Sequence, residues 1–126
     1  MKLIMKKSTK IIVAAVVLVL AVLFFTRNNE VEAGKYDEFA KCITEKGAIF
    51  YGSFQCTHCT TQKNLFGNSM QYVNYVECGP LGGPQTLACQ QAGIDSYPSW
   101  IIGNKKYEGV QQFSRLAELT ECQLPQ

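Results

Sequence analysis

The hydrophobic pattern divides the chain sharply. Residues 11–25 (IIVAAVVLVLAVLFF) carry neither a charge nor a polar side-chain atom, and the ten residues before them hold Lys2, Lys6, Lys7 and Lys10. A bilayer core asks for roughly 20 apolar residues and accepts about 17. With Thr26 and the snorkelling lysine stems the run is long enough to span, so a basic segment 1–10 and a transmembrane signal-anchor 11–26 are predicted. A cleaved signal peptide is the competing reading, with Val31 and Ala33 as the small residues of a cleavage site. Arg27, Asn28, Asn29, Glu30 and Glu32 make the approach to that site unusually long and charged, which favours a retained anchor. On either reading the lysines stay cytoplasmic and everything after residue 26 lies outside; with the anchor retained, the protein is single-pass in the cell membrane.

Residues 27–34 are a short polar tether, and 35–126 form one domain. YDEFAKCITEKG spaces Phe39, Cys42 and Ile43 as a helix does and stops at Gly47. AIFYG (48–52) is a short apolar run consistent with a buried strand. A second helix begins near Cys56 and runs to about Gly67, with Leu65 and Phe66 inward. MQYVNYVEC alternates as a strand ending at Cys78, and GPLGGPQ is a loop. TLACQQAGI is a short helix closed by Gly93. PSWIIGNKKYEG reads as two strands joined at Gly103-Asn104, and FSRLAELTEC as a closing amphipathic helix with Leu116 and Leu119 inward. Alternating helix and strand predict a parallel βαβ unit, and the hairpin adds antiparallel strands. The predicted class is α/β, a four-stranded mixed sheet with helices on both faces.

Charge adds little. The formal +2 contains the four anchor lysines; without them eight basic residues face ten acidic ones, near −2. This excludes the basic face that nucleic-acid binding needs. Cysteine usage changes the picture more. Cys42, Cys56, Cys59, Cys78, Cys89 and Cys122 all lie beyond the anchor, where disulfide chemistry is expected.

Cys56 and Cys59 form a C-x-x-C pair with His58 inside it. Structural zinc wants four ligands, and this chain offers one such pair and a single histidine. A c-type haem would need histidine where Thr60 stands. A structural staple across so short a loop restrains the unfolded chain little. Placed where a strand ends and a helix begins, Cys56 meets the free N–H groups and positive dipole end of that helix, which favour thiolate over thiol. A stabilised thiolate makes the disulfide the stronger oxidant. His58 adds to this as a donor or a cation; its plain alternative is a solvent-facing helix residue. Pro98, in DSYPSW, either begins a strand as a trans proline or, if cis, lays its turn against the pair.

C-x-x-C at a strand-to-helix junction, followed about forty residues later by Tyr-Pro-Ser-Trp before a hairpin, resembles a thioredoxin fold. FAKCITEKGAIFYGSFQCTHCTTQKNLFG, YVNYVEC and GIDSYPSWIIGNKKYEGVQ are similar to the thioredoxin-like domains fused to, or partnered with, bacterial and plant homologues of vitamin K epoxide reductase (VKOR). The resemblance implies Cys56 as the exposed nucleophile, Cys59 as the buried resolving thiol, and Pro98 as a cis-proline shaping a substrate groove beside Tyr97 and Thr57. It implies a structural disulfide between Cys78 and Cys89, contributing ~3 kcal/mol in the chain-entropy model; a reduced pair and an electron-relaying pair are the alternatives. Cys42 and Cys122 remain undecided, because in such a fold the first and last helices usually cover opposite faces.

There are departures. The reductase domain is not in this chain, which implies a separate, self-anchored module. Gln55 and Thr57 stand where many relatives have an aromatic and a proline. Phe50 takes the place of a buried acid, so a proton acceptor for Cys59 is expected to be missing. The expected activity is oxidation of cysteines in exported proteins, with reoxidation by a VKOR- or DsbB-type quinone-linked membrane enzyme and no bound cofactor, the cysteine pair itself carrying the electrons. A reductase or isomerase running the same residues in reverse, and a redox-inert adaptor, are the competing expectations.

Overall fold

The structure is a computed structural model that describes residues 2–27 and 33–126. Most of the expected tether, 28–32, and with it the approach to the cleavage site, lies outside the described residues. The chain divides into two compact units, Met1–Glu32 and Ala33–Gln126.

The first unit is one helix, α1 (Lys2–Arg27). Within it Lys7–Phe25 has a mean hydropathy of 2.6, long and apolar enough to cross a membrane. The helix extends through the lysine-rich start because lysine is itself a good helix former.

The second unit runs α2 (Asp37–Glu45), β1 (Ile49–Gly52), α3 (Thr57–Phe66), a 3₁₀ turn (Gly67–Tyr72), β2 (Tyr75–Glu77), α4 (Leu87–Gln91), β3 (Ser99–Ile102), β4 (Lys105–Glu108) and α5 (Phe113–Thr120). Its four-stranded mixed sheet has the order β2-β1-β3-β4, with β1 parallel to β2 and antiparallel to β3, and β3 antiparallel to β4. Gly103 and Asn104 join β3 to β4 with φ of 56° and 64°, the paired left-handed conformation of a tight hairpin.

Strand alternation sorts the core. Phe50, Trp100 and Ile102 pack with residues of α2, α3 and α5, while Tyr51 packs with Cys78, Cys89 of α4 and Ile94 on the other face. Helices therefore cover both faces. Phe50 and Trp100 stack with ring centroids 5.0 Å apart at the centre of the larger cluster.

Three local expectations are corrected. The stretch read as a strand from residue 70 opens with the 3₁₀ turn, and β2 keeps three residues. Hydrogen bonds from the neighbourhood of α2 take up its backbone: Thr44 Oγ1 donates to the Tyr72 carbonyl and accepts from the Asn74 N–H, and Ser69 Oγ accepts from the Tyr36 N–H. Second, α3 turns Cys59, Gln62 and Phe66 inward rather than Leu65 with Phe66. Gln62 is fully buried because it is fully engaged. Its Oε1 accepts from Trp100 Nε1 at 3.1 Å and from the Gln111 N–H at 2.7 Å, and its Nε2 donates to the Gln111 carbonyl at 3.1 Å. Replacing Gln62 by Leu strands the buried Trp100 donor and the half-buried Gln111 N–H and should cost about 3 kcal/mol, read as a lower denaturation midpoint. Third, α2 and α5 share one face of the sheet instead of covering opposite ones, which brings Cys42 to Cys122.

Candidate active site

The end of β1 leads through a tight turn into α3. The Cys56 N–H donates to the Ser53 carbonyl at 3.1 Å, and the Gln55 N–H to Ser53 Oγ at 3.2 Å, while Ser53 itself is buried. Cys56 is the N-cap of α3, with extended backbone (φ −85°, ψ 116°). Its sulfur accepts the Cys59 N–H at 3.1 Å, the role a capping oxygen plays for an unpaired first-turn donor. Both thiols are free. Cys59 is wholly buried, whereas Cys56 keeps 7% of its surface and is the accessible member, though far less exposed than a surface nucleophile. Burial, then the contact with Cys56, push the Cys59 thiol up to about 12.

Thr57 and His58 are exposed on the first turn of α3. Pro98 is buried and follows a cis Tyr97–Pro98 bond. It directly precedes Ser99, whose partner across the sheet is Tyr51, so the proline stands at the same end of the sheet as the cysteine turn. The Tyr97 hydroxyl is engaged by Gln85 Nε2. Cys78 and Cys89 are disulfide-bonded, as are Cys42 and Cys122. The second bridge joins α2 to the segment after α5, settling the undecided pair and placing it outside the C-x-x-C turn.

Sequence reasoning missed the groups behind the pair. Gly52 lies against it: a Cβ there would stand 3.1 Å from the Cys59 sulfur, 3.1 Å from Tyr75 Cε2 and 3.3 Å from the Tyr75 hydroxyl. Gly52→Ala should cost about 1–3 kcal/mol through overpacking and slow opening of the cysteine pair, seen as a lower midpoint with slower thiol release. The Tyr75 hydroxyl donates to Glu77 Oε2 at 2.6 Å. Glu77 Oε1 accepts from the N–H groups of Phe54, at 3.1 Å, and Gly79, at 2.9 Å. Burial works against the Glu77 charge, but the bonds from Tyr75, Gly79 and Phe54 and the nearby Lys63 ammonium hold its carboxyl below the usual range. Burial and the bond to Glu77 hold the Tyr75 phenol well above its usual value. Lys63 Nζ sits 3.8 Å from the Tyr75 ring centroid. Phe50 does leave the central strand without an acid, yet a carboxylate reaches the site from β2. The available signal was a charged residue at the end of a strand, directly before Cys78.

The active-site turn is held from outside as well. Gln55 Oε1 accepts from the Leu81 N–H at 2.9 Å, and Glu77 ties Phe54 to Gly79. Phe54 and Leu81 remain exposed, at 63% and 49%.

No protein-family model matches the chain. It is similar to the thiol-disulfide oxidoreductase LTO1 of Arabidopsis thaliana, 42% identical over 92 residues, which is 69% of this chain and 24% of that protein. The chain thus spans about a quarter of that relative's length, and the likeness falls on a chain whose own free thiols stand as a C-x-x-C pair at a helix N-terminus.

Proposed function

We propose that this chain is a membrane-anchored thiol–disulfide oxidoreductase that oxidises cysteine pairs of exported proteins. The observation that carries the reading is the Cys56 sulfur at the N-cap of α3, accepting the Cys59 N–H beside a buried partner thiol. The Arabidopsis relative, a thiol-disulfide oxidoreductase, supports the same class.

The cycle starts from the Cys56–Cys59 disulfide. A substrate thiolate attacks the Cys56 sulfur; the new S–S bond forms as the Cys56–Cys59 bond breaks, and its electron pair goes to Cys59. A second substrate thiolate attacks the substrate sulfur of the mixed disulfide and releases Cys56. The substrate leaves as a disulfide, two electrons poorer, and the protein holds two reduced sulfurs. The helix N-terminus favours Cys56 as a leaving thiolate in the second step. On this reading Pro98, Tyr97 and Thr57 line the approach to Cys56, and His58, two residues on from Cys56, favours its thiolate. The reduced pair is reoxidised by a quinone-linked membrane enzyme of the VKOR or DsbB type. Lys2, Lys6, Lys7 and Lys10 hold the N-terminus in the cytoplasm, so the domain works outside it.

Mixing the oxidised full-length chain in detergent with a reduced, unfolded two-cysteine peptide tests the reading. One peptide disulfide per protein, with Cys56 and Cys59 recovered as thiols, is the expected result. Failure of that transfer, alongside rapid reduction of an oxidised peptide by the reduced chain, would reverse the direction. Transfer in neither direction would leave an adaptor.

A further inference from the structure

Opening the Cys56–Cys59 disulfide places an electron pair on a sulfur that no solvent reaches, since Cys59 is fully buried. A thiol that ionises only near 12 is a poor leaving group as a bare thiolate, because exchange slows as the leaving thiol's pKa rises. The sulfur therefore needs a proton at that step, from a group within the fold. The groups that act on it are Cys56 at the N-cap of α3, Lys63 of α3, Ser53 of the turn and Tyr75 of β2, with Glu77 of β2 bonded to Tyr75. Cys56 is itself reacting, and Ser53 acts on Cys59 through its backbone.

Tyr75 is placed differently. Its hydroxyl and the Cys59 sulfur both lie within 3.3 Å of the single point where a Gly52 Cβ would stand, so a glycine keeps the space between them open. On its other side the same hydroxyl is 2.6 Å from Glu77 Oε2. Glu77 is half-buried and reaches the surface beside the exposed Phe54. The Tyr75 hydroxyl therefore adjoins both the space beside the buried sulfur and Glu77, whose Oε1 is fixed by two backbone N–H groups.

We propose that Tyr75 and Glu77 are the proton path between Cys59 and solvent, an inference that rests on the redox reading of the pair. As the S–S bond breaks, Tyr75 passes its hydroxyl proton to the Cys59 sulfur and takes one from Glu77, which has drawn it from water. One bond is broken, one proton enters from solvent, and Tyr75 and Glu77 end unchanged. When Cys59 later attacks Cys56 to re-form a disulfide, the proton retraces the path outward. Tyr75 is the residue that meets the reacting atom, and Glu77 acts through it.

The test uses the oxidised full-length chain in detergent, opened by dithiothreitol at pH 6 to 9, acid-quenched, with the Cys56–Cys59 bond read by peptide mass. The native rate, divided by the attacking thiolate concentration, should be flat with pH and about 2-fold slower in heavy water. Tyr75→Phe keeps the ring and should slow opening by about 100-fold, with loss of the isotope effect. Glu77→Gln keeps an oxygen for the Phe54 and Gly79 N–H groups and should behave similarly, so it carries the test if Tyr75→Phe does not fold. Rates within 2-fold of native in both variants would overturn the path, as would slowing with the isotope effect retained, which marks a merely structural role. Loss confined to Lys63→Met would overturn it too, by making the ammonium the donor. If the native Cys56–Cys59 bond opens no faster than Cys78–Cys89, the redox reading falls and the path with it, whereas fast native opening matched by both variants sinks the path alone.

Discussion

Cys56→Ser is expected to abolish disulfide transfer to and from this protein while leaving its stability almost unchanged. A serine oxygen neither forms nor accepts a disulfide, so transfer should fall to the uncatalysed background. Serine is, however, among the best N-cap residues, and its Oγ replaces the sulfur as acceptor for the Cys59 N–H. The disulfide lost spans too short a loop to matter much for folding. Cys59→Ala should do the opposite in exchange assays. It keeps Cys56 as the attacked sulfur and removes the thiol that would release a bound partner, so mixed disulfides accumulate on Cys56. The two variants, compared by transfer assay, thermal melt and non-reducing electrophoresis, separate nucleophile from resolving thiol. Equal residual transfer in both, or mixed disulfides on neither, would mean that Cys56 does not react first.

Removing the Cys42–Cys122 bridge should produce the largest loss of stability in the molecule. The two cysteines are 80 residues apart, against 11 for Cys78 and Cys89. In the chain-entropy model a loop of that length contributes about 4.5 kcal/mol, against ~3 for the shorter one. Set against a total of roughly 5 to 15 kcal/mol for a small domain, that is a large share. The bridge also anchors the tail: Glu121 turns in the left-handed region with φ 59°, and Cys122 then meets α2. The Cys42→Ala and Cys122→Ala double variant should melt about 20 °C or more below the native protein, at the usual ratio of free energy to midpoint for this size. A drop of under about 5 °C would show that the bridge constrains little, and the shared packing of α2 and α5 on one face would then carry that contact alone.

Much of this fold was legible because local chemistry and pattern agree. Gly103-Asn104 fixes a hairpin by backbone preference alone, and a C-x-x-C pair after an apolar strand marks a helix start. The missed features depend on partners distant in sequence. Gln62 reads as a surface residue until Trp100 and Gln111 arrive to satisfy it. The stretch from Met70 alternates like a strand, but at its start the Met70 carbonyl accepts from the Val73 N–H and the Tyr72 carbonyl from Thr44 Oγ1 rather than from a sheet neighbour. That α2 and α5 lie on one face is a matter of topology, and spacing along the chain carries no trace of it. At the site, Cys56, Cys59 and Pro98 could be singled out by residue type. Tyr75 and Glu77 could not, because their place behind Cys59 follows from the parallel register of β1 with β2, which sets Gly52 opposite Glu77.

Cys56 and Cys59 are proposed as a redox pair poised to oxidise. The most direct measurement is its reduction potential, taken on the full-length chain in detergent equilibrated against glutathione buffers. A value of about −120 to −200 mV is predicted, the range of oxidases and isomerases. A value below about −250 mV would contradict the account and make the protein a donor of electrons.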